Sequence, residues 1–213
     1  MTLTTEIHPQ PDLLDSLLSI APGSPLHQNR HAREKVASAT QGSQNLFFDP
    51  ALDNDLSLSE RLWVAYYAAR LGEQATLTAH YLKQLQALGI KASVLADVDA
   101  GAIDVLDDAR LAAILRFTRT LIESPVHGDQ AALLALQHEG LSTAEIVVLA
   151  QLIAFMSYQV RLAAGLAALQ AGFSTAQGAS TLLFPRVGAE GLGLKERGLG
   201  VWGNGEGSLY TLC

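Results

Sequence analysis

The chain has 213 residues, enough for one domain with a sizeable buried core. Apolar residues make up 49% of it and aromatics only 6%, with Ala and Leu dominant, a composition that favours helices over sheets. A net charge of −7, without any Lys/Arg cluster, argues against a phosphate-binding surface and against nucleic acid as a partner.

Residues 1–10 read as disordered, and their acidic, proline-containing composition lacks the basic-then-apolar pattern of a leader. Pro11 to Leu18 reads as a short amphipathic helix, with Pro at an early position where its missing N–H costs little. Pro22-Gly23-Ser24-Pro25 ends it. The polar stretch from His27 to Gln44 follows as a candidate helix. His27 and His31 stand at i, i+4 and share a face, a spacing compatible with a metal. No third ligand is evident nearby in sequence, so the reading is a solvated polar helix, and neither metal nor cofactor is expected. Leu46-Phe47-Phe48-Asp49-Pro50 reads as an apolar plug followed by a turn.

Two Leu-Ser-x-x-Glu segments come next, Leu56 to Glu60 and Leu141 to Glu145, offset by 85 residues. Each is a capping box before an apolar run: Ser accepts from the third helical N–H and Glu reaches back to the cap N–H. Each run is expected to form a helical hairpin, with second helices ending near Leu88-Gly89-Ile90 and Ala171-Gly172-Phe173. Between the hairpins, Asp97 to Asp108 reads as an acidic turn region. Asp107–Glu123 reads as a helix, from its i, i+3, i+4, i+7 apolar spacing, and is stopped by Ser124-Pro125. Asp129–Glu139 reads as a further helix, with Leu133, Leu134 and Leu136 on its apolar side, closed by Gly140. The run Ile146–Val160 is broken by Gln151, Ser157 and Gln159 and is short for a membrane span, so it reads as a helix buried inside protein, with no membrane partner. Residues 174–213 differ in kind. Nine of the eighteen glycines fall between Gly178 and Gly207, and the segment reads as a mostly disordered tail.

Within the first hairpin, Gly72 would end one helix and Glu73 would open the next, near its positive dipole end. Glu73, Thr76 and His80 are spaced i, i+3, i+7 on one face. This stretch, from Leu56 to Tyr81, resembles the core of the AhpD-like / carboxymuconolactone decarboxylase family. Redox members of that family carry Cys-x-x-Cys-x-x-x-His at the start of a helix, with a Glu twelve residues before the first Cys. With His80 on the family His, Glu73 and Thr76 occupy the cysteine positions and Arg61 the Glu position.

The resemblance implies an all-α AhpD-like domain over residues 11–173, an internal duplication of hairpins, and assembly as a trimer or hexamer. Ile146–Leu169 would lie at or near the interface. It also implies a peroxidase-related ancestry that this chain does not express as thiol chemistry. The single cysteine is Cys213, so no dithiol exists at the site. One cysteine also fits a reducing compartment, and a cytoplasmic location is expected.

Three functions stay open. The chain is a cysteine-less binding or partner subunit, for instance of a cysteine-bearing paralogue; or an acid–base enzyme, decarboxylase- or isomerase-like, using His80 with Glu73 or Arg61 on a small organic acid; or a purely structural oligomer. Arg61 is read either as a surface residue or as a partner for Glu73 or a substrate carboxylate. Glu60 is read as a cap. Trp63, Tyr66 and Tyr67 are read as core or subunit-contact residues. Tyr158 and Arg161 stand at the repeat-equivalent places of Glu73 and Thr76, and Arg161, inside so apolar a helix, is expected to need a partner.

Overall fold

The computed structural model describes residues 12–52 and 56–179, with side chains through 172. Among these residues there are nine α-helices, two short 3-10 turns and no strand, so the fold is all-α, as the composition predicts. The expectations for residues 1–10 and for most of the Gly-rich tail lie outside the described residues.

α1 (Leu13–Leu17) starts at Asp12, whose carboxylate accepts from the Asp15 N–H. The turn from Pro22 to Pro25 does two jobs, because Ser24 caps α2 (Pro25–His31) and Pro25 occupies its first turn. The polar stretch expected to run on from His27 is in fact divided at Ala32-Arg33, and α3 (Glu34–Phe47) follows. The apolar plug forms at the end of α3: the Phe47 ring lies 5.4 Å from that of Phe155, and Phe48 lies 5.0 Å from Tyr81.

α4 (Leu58–Leu71) is the axis of the molecule. Its capping box is complete: Ser57 Oγ accepts from the Glu60 N–H at 3.2 Å, and Glu60 accepts from the Ser57 N–H at 2.7 Å. Every residue from Arg61 to Ala69 is buried. A helix covered on all sides must be wrapped by others, and here α5 (Ala75–Ala87), α7 (Ala109–Glu123) and α9 (Thr143–Ala179) pack around it. Trp63, Tyr66 and Tyr67 all lie in this core.

The expected acidic turn region begins instead as a helix, α6 (Ala92–Asp99). Two tertiary anchors hold it: Val98 is buried, and the Tyr66 hydroxyl donates to Asp99 Oδ1 at 2.5 Å. α7 starts at Asp108, and Ser124 ends it. In α8 (Gln130–His138) only Leu136 is buried, so Leu133 and Leu134, expected on the apolar face, are exposed.

The second hairpin does not form. α9 runs unbroken for 37 residues, about 55 Å, from the capping box at Ser142/Glu145 past the expected stop at Ala171-Gly172-Phe173. The helix therefore runs on beyond residue 173. The physical reason is local. At the 85-residue offset, Ser157 stands where Gly72 breaks the first run, and no Gly or Pro interrupts α9 before Gly165. The two capping boxes nevertheless meet in space. Arg110 of α7 donates from Nε to Glu60 at 2.6 Å and from its terminal nitrogen to Glu145 at 2.5 Å.

Candidate functional site around His80

The turn between α4 and α5 places the residues singled out by the resemblance. Gly72 is the C-cap of α4, with φ of −84°. The Glu73 N–H donates to Arg70 O and the Gln74 N–H to Ala69 O, each at 3.0 Å. This pair of bonds defines a Schellman motif, and its left-handed position falls on Glu73, with φ of 53°. Glu73 therefore closes α4 instead of opening α5, as the sequence had suggested. The N-cap of α5 is Gln74, whose Oε1 accepts from the N–H groups of Thr76 at 3.0 Å and Leu77 at 3.4 Å. Glu73 is exposed, and among the described residues its carboxylate has no hydrogen-bond or ion-pair partner. Thr76 lies in the first turn of α5, partly exposed.

Arg61 is not on the surface. It is 1% exposed, and its NH1 donates to the carbonyls of Phe47 at 2.7 Å and Asp49 at 3.1 Å. Phe47 is the last residue of α3, where helix carbonyls lack partners and carry partial negative charge, and the Asp49 carbonyl lies in the turn beyond it, where it also accepts from the Leu52 N–H at 3.2 Å. Arg61 thus caps α3 from inside the core and pins the Phe47–Asp49 segment. Burial lowers its pKa, countered in part by the charges of Asp49 and Glu60. A guanidinium stays protonated in such a setting. Nothing in this arrangement links Arg61 to Glu73.

His80 is half-buried on α5. The Gln84 amide nitrogen donates to its Nε2 at 2.8 Å, and an amide nitrogen cannot accept, so the imidazole proton resides on Nδ1. Burial holds its pKa below the ordinary 6.5, and the positive charge of Lys83 adds to the effect. His80 is a neutral ring at pH 7. It faces an open groove of about 480 Å³ against α1 and α3, lined by the carboxamides of Gln41, Gln44, Asn45 and Gln84. The groove can donate and accept hydrogen bonds but presents no carboxylate and no cation. The structure does not join His80 to Glu73 or Arg61 by a hydrogen bond.

Behind the groove lies a buried polar cluster that sequence reading missed. The Tyr81 hydroxyl is 2.8 Å from Gln159 Oε1 and 3.0 Å from Gln44 Oε1, and Gln159 donates to Gln44 at 2.9 Å. The hydroxyl carries one proton and so donates to one carbonyl at a time. Burial raises the Tyr81 pKa, against the lowering effect of both glutamines, and the phenol stays neutral. A signal existed: Gln159 interrupts the apolar run Ile146–Val160, and a buried amide demands partners. That those partners are 115 and 78 residues away had no counterpart in the sequence. The repeat-equivalent Tyr158 is partly exposed and meets Thr40 Oγ1 at 3.1 Å, while Arg161 is exposed.

A second cavity, of about 520 Å³, lies elsewhere, with buried Trp63 and Leu111 and exposed Lys91, Asp107 and Asp108 among its lining residues. Two of its carboxylates are already engaged: Glu60 by Ser57 and Arg110, and Asp108 by the Leu111 N–H at 2.9 Å. Its lining excludes His80, Glu73, Thr76 and Arg61. No known family model matches the chain, and no curated protein is detectably similar to it.

Proposed function

We propose that this chain is a non-redox helical subunit, AhpD-like by ancestry, that works as part of a homo-oligomer and not as a thiol peroxidase. The observation that carries the proposal is the composition of α9 against its surroundings. From Thr143 to Gly172 the helix is apolar enough to cross a bilayer by length and composition, yet only 44% of its most apolar window is buried. One side, with Leu149, Leu152, Met156 and Ala163, is sealed into the core against α4. The other exposes Val147 (52%), Tyr158 (42%) and Leu169 (54%). Val147, Tyr158 and Leu169 recur every eleven residues and so share one face of α9, and a symmetric assembly of identical chains covers such a face with itself. The chain's single cysteine and the exposed carboxylate at Glu73 support the loss of dithiol chemistry. His80, held neutral among carboxamides, supports a groove that binds by hydrogen bonds.

Native mass spectrometry tests the assembly. The chain should have trimer or hexamer mass, and Val147→Glu combined with Leu169→Glu should reduce it to a monomer with unchanged helical circular dichroism. A wild-type chain that is monomeric at micromolar concentration would overturn the proposal. Recovery of a mixed assembly with a cysteine-bearing relative would extend it to a partner subunit.

A further inference from the structure

The i, i+4 pair His27 and His31, for which the sequence shows no third ligand, meets Asp15 between α1 and α2. His27 and His31 are one turn apart on α2, with ring centroids 4.3 Å apart and planes tilted by 30°. Both Nε2 atoms point at the same oxygen of Asp15 on α1: His31 Nε2 lies 2.6 Å from Asp15 Oδ2 and His27 Nε2 lies 3.9 Å from it. All three ligand atoms fall within 4.8 Å of one another. Ligands about 2.1 Å from a tetrahedral zinc ion stand about 3.4 Å apart, so small side-chain rotations bring this set to coordination distance.

The surroundings are organised as a metal site's outer shell would be. The other oxygen of Asp15, Oδ1, accepts from Arg30 Nε at 2.8 Å, which fixes the carboxylate and leaves Oδ2 for the shared focus. The charge of Arg30 is in turn matched by Asp12, held through both oxygens at 2.6 and 2.7 Å. Asp12, Asp15 and Arg30 sum to −1, which favours a divalent cation. Beside the cluster is a cavity of about 490 Å³ whose lining includes His27, Asp15, Ser16 and Ser19. Three protein ligands with an adjacent cavity correspond to a site that keeps one exchangeable position.

We propose that Asp15, His27 and His31 form a binding site for a divalent transition metal of the zinc class, with a fourth position open to water or a small ligand. Imidazole and carboxylate donors select this class over magnesium or calcium, which prefer all-oxygen shells. The site is independent of the groove at His80 and of the oligomer proposal. It closes α1 onto α2, so metal binding also stabilises the fold.

The test uses the full chain carrying Cys213→Ser, which removes the only thiol, after treatment with a chelator. Cobalt(II) is titrated and its visible d–d absorption recorded, and zinc is then added in competition. The expected result is one equivalent of cobalt with the intensity of a four- or five-coordinate site, displaced by zinc, and a higher Tm with zinc. His27→Gln leaves the Asp15–His31 and Asp15–Arg30 contacts intact and so should fold, while weakening affinity at least tenfold. His31→Gln should do the same, and His138→Gln, at an exposed histidine, should change nothing. Failure of the wild type to bind either ion, or an affinity in His27→Gln and His31→Gln equal to that of the wild type, would overturn the proposal.

Discussion

Glu73 holds a backbone position that favours glycine. Its φ of 53° is the left-handed closing residue of the Schellman motif, where a Cβ crowds the following carbonyl. Its carboxylate has no partner among the described residues that would offset this cost. Glu73→Gly is therefore expected to raise stability by about 0.5–1 kcal/mol, the strain relieved less the added freedom of the unfolded glycine. Urea denaturation measures this directly, and a loss of stability would mean that the carboxylate makes a contribution the backbone does not explain. Arg61 teaches the complementary lesson. A charge in an apolar helix invites a reading as a surface or substrate-binding residue, but here the guanidinium neutralises the end of α3. The sequence names the residue types, whereas the carbonyls that need them are identifiable only once α3 ends beside α4.

At the scale of the helix, Gly72 matters for the room it leaves. Its φ of −84° is open to any residue, but a Cβ there would lie 2.5 Å from Val160 Cγ1 of α9. The missing side chain lets the α4–α5 turn pack directly on the long helix. Gly72→Ala should cost about 1–3 kcal/mol by overpacking. Combining it with Val160→Ala should recover part of that loss, so a double-mutant cycle by chemical denaturation should give a coupling well above 0.5 kcal/mol. Simple additivity would place the origin of the Gly72 effect elsewhere. The same turn explains why one apolar run folds back and the other does not. Gly72 and the Schellman closure end α4, while Ser157, at the equivalent place, lets α9 continue.

For the whole molecule, proton linkage should give stability a two-stage dependence on acid. His80 has a lowered pKa, so the unfolded chain takes up the proton first and stability falls as pH drops below about 6.5. Glu145 is also lowered: burial alone would raise it, but hydrogen bonds from Ser142 and Arg110 outweigh that. Its contribution is present above the ordinary 4.5 and is lost below it. Thermal unfolding across pH should show both stages in the wild type. His80→Gln should flatten the upper stage and keep the lower one. An unchanged upper stage would place the responsible proton on another residue. The lower stage reports on the Arg110 bridge, which ties the starts of α4 and α9 together through α7, and on Asp104, whose carboxyl the hydrogen bond from Arg116 also holds low.

The amino-acid sequence alone determined the helical class, both capping boxes, and the limits of α5, α7 and α8 to within one or two residues. It also excluded a dithiol at the Glu73/Thr76 positions. These are local properties: caps, apolar periods and glycine stops act over a few residues and are written contiguously. Tertiary structure decided the rest. It made α9 one helix with a partly uncovered apolar face, turned Arg61 into an internal cap, joined Tyr81 to Gln44 and Gln159, and brought Asp15 to His27 and His31. Each depends on which chain segments meet across a core. No local pattern encodes that meeting, because the same buried charge or amide is satisfied by whichever distant partner the packing delivers.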